Sequence, residues 1–566
     1  MRATASPNQH LRRCAREHLP TFPRRLTFSP NLPTGGLCSL CRRVLSRIEL
    51  RLADRYGGQR TCTRSGERFL FVRGIYVGLK VIGAVLACGL MATSSARTNA
   101  QALENWTTLG ANAQRTSWIE NDPEISTKQL RAPEFRLLWK NALTGRLGYQ
   151  GSLSQPVLVQ QLTTIRGLKS IAIVGSSSED VYAIDYDLNS VFWTARLADR
   201  SPSRRGAPNC PISPIPVAWP APTTDTTGIR SSVVYAVTKD GMAHALNPQT
   251  GTDSRPPVRF VPPNTRVTSL IVVGEFLYAT TSNSCNGEGN AVWALDASVG
   301  TAQGKKWELD GAVISGFAIG GDGTLYVTTG SIGNRSRLAN RIVALESKSL
   351  RVKGAFASAE APFVGSPMVV RHRGRDVVVA AAGDRKLYVF DAVSLAGTDS
   401  ATPLAVAPSG WPDYDFRSLA SWRSREGTTW VLASLGRSSL PKAPSRVSRT
   451  DAASGAVAAF QLVDNETKGL TVRSAWLSRD ISSRVAPVIL KDVVFALSVN
   501  RSETSQRDPA DSVLYALDAN TGKELWSSGG VIAGASQGVQ PAAADGQVYV
   551  TTMDGTLYAF GFPREH

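Results

Sequence analysis

A short apolar run, a polar turn and a return run ending in tryptophan recur along this chain. The clearest copy is Leu514 to Trp526, L-Y-A-L-D-A-N-T-G-K-E-L-W. Leu514 to Leu517 has the pattern of a short strand. Asp518 to Gly522 is a turn, because Asp bonds the backbone just ahead of it and Gly accepts positive φ. Lys523 to Trp526 begins the return strand. One such hairpin is only marginally stable, so it needs neighbours, and the sequence supplies them. Aligned on the alanine of Ala-Leu-Asp, the repeat falls at Ala183, Ala245, Ala294, Ala344, Val389, Ala459, Ala516 and Ala559. The successive gaps are 62, 49, 50, 45, 70, 57 and 43 residues. A period near fifty, with about four short strands per period, predicts propeller blades, and the two long gaps predict loop insertions.

The turn chemistry agrees with an all-β reading. Asp240-Gly241, Asp322-Gly323, Asp545-Gly546 and Asp554-Gly555 each stand between apolar runs, a strong hairpin signal. Val377 to Ala382 and Ser170 to Val174 are nearly continuous apolar runs, as expected of inner strands covered on both faces. Trp193, Trp307, Trp476 and Trp526 each follow a repeat anchor, and these residues are expected to pack between blades. The predicted fold is an eight-bladed β-propeller of four-stranded blades.

Ring closure is also legible. The eighth repeat ends at Phe560 and Phe562, and the chain stops at His566, leaving that blade without a returning tryptophan strand. Phe135-Arg-Leu-Leu-Trp139 precedes the first repeat and can supply it. The last blade is therefore expected to be closed by the N-terminal strand, with Trp139 as its docking residue, which removes two exposed sheet edges. Trp106 to Arg115, ahead of this strand, reads as a polar opening segment.

Charge separates the ends of the chain. The formal net charge is +18, but residues 1–102 hold 17 Lys and Arg against 4 Asp and Glu. The remainder is close to balanced, so the basic excess gives no ground for a nucleic-acid partner. Residues 1–71 are rich in Arg, Pro and Cys without a hydrophobic period and read as a disordered extension or a mis-assigned start. Cys38 and Cys41 have half a zinc spacing, with no second pair to complete it. Residues 72–102 read as a secretory signal: Arg73 and Lys80, an apolar core from Val81 to Ala92, then small residues at Ser94-Ser95-Ala96 or Ala100-Gln101-Ala102. The apolar run is shorter than the roughly 20 residues a membrane span needs. Val85-Leu-Ala-Cys88 also has the form of a lipoprotein box, so a membrane association would run through a lipidated Cys88. On either reading residues 103–566, the propeller, are periplasmic or extracellular.

The repeat A-L-D-A-x-T-G-K-x-x-W, with Ser366-Pro367 and Val548-Tyr549-Val550, resembles the PQQ-like β-propeller family, the quinoprotein alcohol dehydrogenase-like fold. The resemblance covers about residues 104–563 and implies the eight-bladed ring. It also implies a test for the dehydrogenase chemistry, which uses an adjacent Cys-Cys disulfide, a calcium-binding Asn after Thr-Gly, and a catalytic Asp. This chain has no Cys-Cys pair, Ser331 stands where the Asn would be in Thr328-Thr329-Gly330-Ser331, and residues 347–365 contain Glu360 but no Asp. A hydroxyl is a poorer ligand for a hard cation than an amide carbonyl. Asp296, Asp391 and Asp518 read first as turn residues.

Other chemistries have little to work with. After residue 102 the histidines are His244, in a strand pattern, His372, in a charged loop, and His566. Arg423, Arg425, Arg437, Arg446 and Arg449 decorate the sixth repeat and read as a solvated face. Cys210 and Cys285 are the cysteines of the exported part, and neighbouring polar loops in an oxidising compartment predict a disulfide between them. The function expected is a noncatalytic binding or scaffolding module for an envelope protein or polysaccharide, with no cofactor. The alternative is a PQQ-dependent dehydrogenase using the quinone and calcium.

Overall fold

A computed structural model describes residues 104–131, 134–144, 151–197, 213–220, 233–282, 290–300, 303–309, 312–331, 339–358, 361–397, 402–438, 455–467, 469–499, 512–534 and 538–563. Every described residue belongs to one compact unit, Asn99–His566. The leader, Cys88, Cys210 and Cys285 lie outside the described residues.

Eight sheets, each built on four antiparallel strands, form an eight-bladed propeller. The first strands of the blades are, in order, Val157–Thr164, Val217–Ala218, Arg266–Val273, Ala312–Ile319, Phe363–His372, Tyr414–Arg423, Val488–Leu490 and Ala542–Ala544. All eight repeat anchors fall on third strands, from Ala183 in Asp180–Asp185 to Ala559 in Thr556–Gly561. Each sits opposite a second-strand residue: Ala183 faces Ile173, and Ala559 faces Tyr549. The long apolar runs belong to the second strands, Gly167–Gly175 and Arg375–Ala382, rather than to the innermost ones. Second strands have a sheet neighbour on each edge and a blade against each face, so they are the most thoroughly buried. Val377 to Ala382 are at most 1 % exposed.

Neighbouring blades share one core at each contact. Trp422, Trp430 and Trp476 of the sixth blade pack with Ile489, Val494 and Leu517 of the seventh. Burying each aliphatic side chain of this kind contributes about 1.5–3 kcal/mol. The first strands of blades 3, 4 and 6 carry an irregularity at one place, between Val267 and Ser269, Ile314 and Gly316, and Phe416 and Ser418. Such bulges increase the local bend and twist of a strand.

The eighth blade takes its fourth strand from the other end of the chain. Arg136–Ala142 pairs antiparallel with Thr556–Gly561, Leu137 opposite Phe560 and Trp139 opposite Ala559. The sheet order is thus closed by the N-terminal strand. Phe135, just before it, packs edge-on to Trp526 of the seventh blade, with ring centroids 4.9 Å apart.

The tryptophans of three fourth strands reach the next blade in one way. Trp139 Nε1 donates to the Tyr186 carbonyl at 3.1 Å, Trp193 Nε1 to Pro248 at 2.7 Å and Trp476 Nε1 to Ala519 at 3.0 Å. Each accepting residue follows the acid or amide of the next repeat, namely Asp185, Asn247 or Asp518. A buried indole N–H requires a partner, and the turn carbonyl serves. Trp307 and Trp526 are half-buried and pack against the cores beside them.

Candidate functional site

The site is built around the central channel, and its first component is the segment that precedes the closing strand. Residues 106–119 run around the inside of the ring. Leu158 N–H donates to the Trp106 carbonyl (2.9 Å), Trp219 to Thr107 (2.8 Å), Ile319 to Ala113 (2.8 Å), Val369 to Gln114 (2.9 Å), Ser421 to Thr116 (2.9 Å) and Ile489 to Ser117 (2.8 Å). These amides come from the inner edges of blades 1, 2, 4, 5, 6 and 7. Four share one visible register: Ile319 faces Leu325, Val369 faces Val378, Ser421 faces Val431 and Ile489 faces Val494. The inner edge of a propeller blade would otherwise present unpaired amides, and this belt pairs them.

The remaining two blades are reached through side chains. Thr108 Oγ1 donates to the Leu270 carbonyl of blade 3. Gln540, at the start of blade 8, accepts from Gly110 N–H at 3.1 Å and donates to Ser117 Oγ at 2.8 Å. Trp118–Ile119 then adds a parallel fifth strand to blade 7. The expectation of a polar opening segment is therefore corrected: Trp106 is fully buried, and the segment is an internal belt. Its backbone is unusual. Ala111, Arg115 and Ser117 have φ of 72°, 65° and 57°, a region that costs an L-residue about 1–2 kcal/mol. No hydrophobic period signals such a path, because each residue meets a different blade.

Arg115 is the belt's one deeply buried charge. Its Nε donates to the Phe317 carbonyl at 3.1 Å, Nη1 to Leu109 and Nη2 to Ser269 Oγ. Its guanidinium carbon lies 5.4 Å from the Phe317 ring centre. Burial lowers its pKa to about 9, so the group stays charged at neutral pH. Where the belt leaves the ring, burial raises the carboxyl groups of Glu104 and Asp122 above their ordinary values. Asp122 nevertheless accepts N–H bonds from Ile125 at 2.7 Å and from Gly546 of blade 8 at 2.7 Å.

The belt lies towards the end of the channel where first strands turn into second strands. Second strands lead to third strands at the opposite end. There the second strands of blades 3, 4, 6 and 7 finish, and the sequences that follow them, 283–289, 332–338, 439–454 and 500–511, lie outside the described residues. Around that end Gln155 Oε1, Asp415 Oδ1 and Ser418 Oγ are buried and have no hydrogen-bond partner among the described residues. Between the last two, Arg417 is exposed, and its guanidinium lies over Gly436, where a Cβ would come 2.5 Å from Nε.

The stretch where the family resemblance would put the metal turn is engaged by the fold at its two described hydroxyls. Thr328 Oγ1 donates to the Gly365 carbonyl at 2.8 Å, joining blade 4 to blade 5, and Thr329 Oγ1 is engaged with the Arg341 carbonyl at 3.2 Å and N–H at 3.0 Å. Both hydroxyls beside Gly330 therefore hold the fold. Among the described residues, no group of three or more His, Cys, Asp or Glu is arranged to hold a metal ion. Asp296, Asp391 and Asp518 accept N–H bonds from Ser298, Ser394 and Asn520 within their own turns.

The two described histidines, His244 and His372, are engaged within the fold. His244 Nδ1 lies 3.0 Å from Asp253. His372 is not in a solvated loop: it ends the first strand of blade 5, buried, with Nδ1 3.0 Å from Thr429 Oγ1 and Nε2 3.1 Å from Asp464. Thr429 is only 1 % exposed, so this hydroxyl–imidazole–carboxylate row has no room for a substrate and instead ties blade 5 to blade 6. Arg423, Arg425 and Arg437 are exposed, and Arg423 pairs with Glu120 at 3.3 Å. Arg446 and Arg449 lie outside the described residues.

Comparison with known proteins agrees with this architecture. Residues 510–562 match a PQQ-type family model described as outer membrane protein assembly factor BamB. Among solved structures, the quinohemoprotein alcohol dehydrogenase from Comamonas testosteroni is similar with a TM-score of 0.54 and 15% identity, over 83% of this chain and 82% of that one. A europium-containing methanol dehydrogenase is similar with a TM-score of 0.54 and 14% identity, over 81% of this chain and 98% of that one. No curated protein sequence matches the chain. The fold is that of a PQQ-like β-propeller.

Proposed function

We propose that this PQQ-like β-propeller is a noncatalytic binding module, exported and working in the cell envelope, which holds a protein or polysaccharide partner at the belt-free end of its channel. The observation that carries this reading is the use of Thr328 to fasten blade 4 to blade 5 and of Thr329 to fasten two strands within blade 4, at the stretch where the family resemblance would put the metal turn. The belt supports it too. It occupies the inner edges of the ring at one end, and the exposed cation Arg417 stands towards the other. A group of that kind suits a partner bound by polar contacts, which fold alone does not specify.

The test is reconstitution with PQQ and calcium, followed by gel filtration, an absorbance spectrum and a dye-linked alcohol oxidation assay. The expected result is no retained quinone and no turnover. Retained quinone with turnover would replace this reading by the dehydrogenase one. The positive arm is capture from envelope extract by the wild type and by Arg417→Ala. Specific binding that the variant weakens supports the site, and equal capture by both overturns it.

A further inference from the structure

A second recessed site lies at the seam where the two ends of the chain meet. It is a cavity of about 400 Å³ between blade 8 and the turn of blade 1 that follows Asp185, a volume suited to a small molecule. Leu137, Trp139, Tyr186 and Phe562 form apolar walls. The Trp139 N–H is already engaged with Tyr186, so the indole offers a ligand only its carbon surface.

Two polar groups give the cavity its chemistry. Gln547 is 3 % exposed, and its Oε1 accepts a hydrogen bond from the Tyr549 hydroxyl at 2.9 Å. That bond fixes the amide, and its Nε2 donors have no partner among the described residues. The Nε2 group keeps contact with solvent through the cavity and is free to donate to a bound acceptor. Arg136 also lines the cavity, is exposed, and has no ion-pair partner among the described residues. Two donor groups, one of them cationic, above an aromatic and aliphatic wall select an anion with an apolar body. Guanidinium and carboxylate match as a fork pair. Asp187 also lines the cavity, so a second negative charge on the ligand would meet repulsion.

We propose that this seam cavity binds small monocarboxylates carrying an aryl or alkyl body, with Arg136 and Gln547 holding the carboxylate and Trp139 and Phe562 covering the body. This site is independent of the belt-free end of the channel and stands whether or not that end binds a partner. By joining Arg136 and Trp139 of the N-terminal strand to Tyr186 of blade 1 and Gln547 of blade 8, a ligand here would also brace the ring closure.

The probe is 3-phenylpropionate, titrated into the full chain by calorimetry and by tryptophan fluorescence. Its neutral amide, the dicarboxylate phenylsuccinate and the Arg136→Gln variant serve as comparisons. Saturable binding of the monocarboxylate is expected, weakened about tenfold or more by Arg136→Gln and by the neutral amide, as for loss of a charged hydrogen bond. Phenylsuccinate should bind more weakly than phenylpropionate. Because Arg136 is exposed, the variant should unfold at the wild-type midpoint, which separates loss of binding from loss of fold. Absence of saturable binding overturns the proposal, as does equal affinity for acid and amide, or an affinity that Arg136→Gln leaves unchanged.

Discussion

The indole of Trp476 lies on Gly522 of the next blade so closely that a Cβ there would sit 2.4 Å from ring carbon Cε3. The Thr-Gly of the repeat is therefore half of a contact whose other half, the tryptophan, is donated by the preceding blade. Gly251 and Trp193 stand in the same relation, at 2.5 Å.

Gly522→Ala should destabilise the ring by about 2–4 kcal/mol, combining positive-φ strain with displacement of a packed indole. Gly427 also has positive φ, 84°, but nothing lies within 4 Å of its Cβ position. Gly427→Ala should therefore lose only the strain component, about 1 kcal/mol. Urea unfolding of both variants measures the difference, and equal losses would remove the docking explanation.

Trp139→Ala tests closure. Trp139 is half-buried and makes one indole hydrogen bond, so the loss should be about 2–4 kcal/mol, at or below the range for a fully buried aromatic. Deleting residues 104–140 removes both the belt and most of the closing strand, and aggregation is the expected result. A monomeric deletion variant with an unchanged melting temperature would refute the closure argument.

Asp122 gives a pH signature. Burial raises its carboxyl above the ordinary 3.8, against the opposing N–H bonds from Gly546, Ile125 and Glu124. The folded chain thus binds this proton more tightly than the unfolded chain. The contribution of Asp122 to stability falls as pH rises from 3.8 through the raised value, and the deficit is complete above it. Subtracting the pH–stability curve of Asp122→Asn from that of the wild type should isolate this downward slope. A flat or rising difference contradicts it.

Cys210 and Cys285 are proposed to pair once the chain is exported. Non-reducing peptide mapping of secreted protein should recover the linked peptides. Reduction should then lower stability by roughly 4 kcal/mol, as for closing a loop of about 75 residues in the chain-entropy account. Two alkylatable thiols in that material would exclude the bond.

Much of the ring was legible because the repeat is written in local chemistry. Asp518 and Gly522 define a turn wherever they occur, and the missing tryptophan strand after Phe560 pointed to Trp139. The belt was not legible. Thr107, Ala113, Gln114 and Thr116 are chosen for room and for carbonyl position, each against a different blade, so they share no period. The belt's non-glycine residues at positive φ, Ala111, Arg115 and Ser117, carry no mark in the sequence. His372 was misplaced for a related reason: its neighbours Arg371 and Arg373 suggest solvent, while its partners Thr429 and Asp464 are 57 and 92 positions away. Likewise Gln547 looked like an ordinary strand residue until Tyr549 was seen to fix its amide.

The pairing of Trp139 with Ala559 also sets an order in time. The strand that closes the ring is among the first parts of the propeller to be synthesised, and its partner is almost the last. Until residues near 559 arrive, the early strand has no sheet to join, and the belt has only part of its ring of amides. Contacts of such long range slow folding and prolong the exposure of open edges. An interrupted chain ending before Thr556 is therefore an arc with unprotected edges at both ends, a natural target for chaperones and proteases. The same joint that completes the finished ring makes every unfinished one conspicuous.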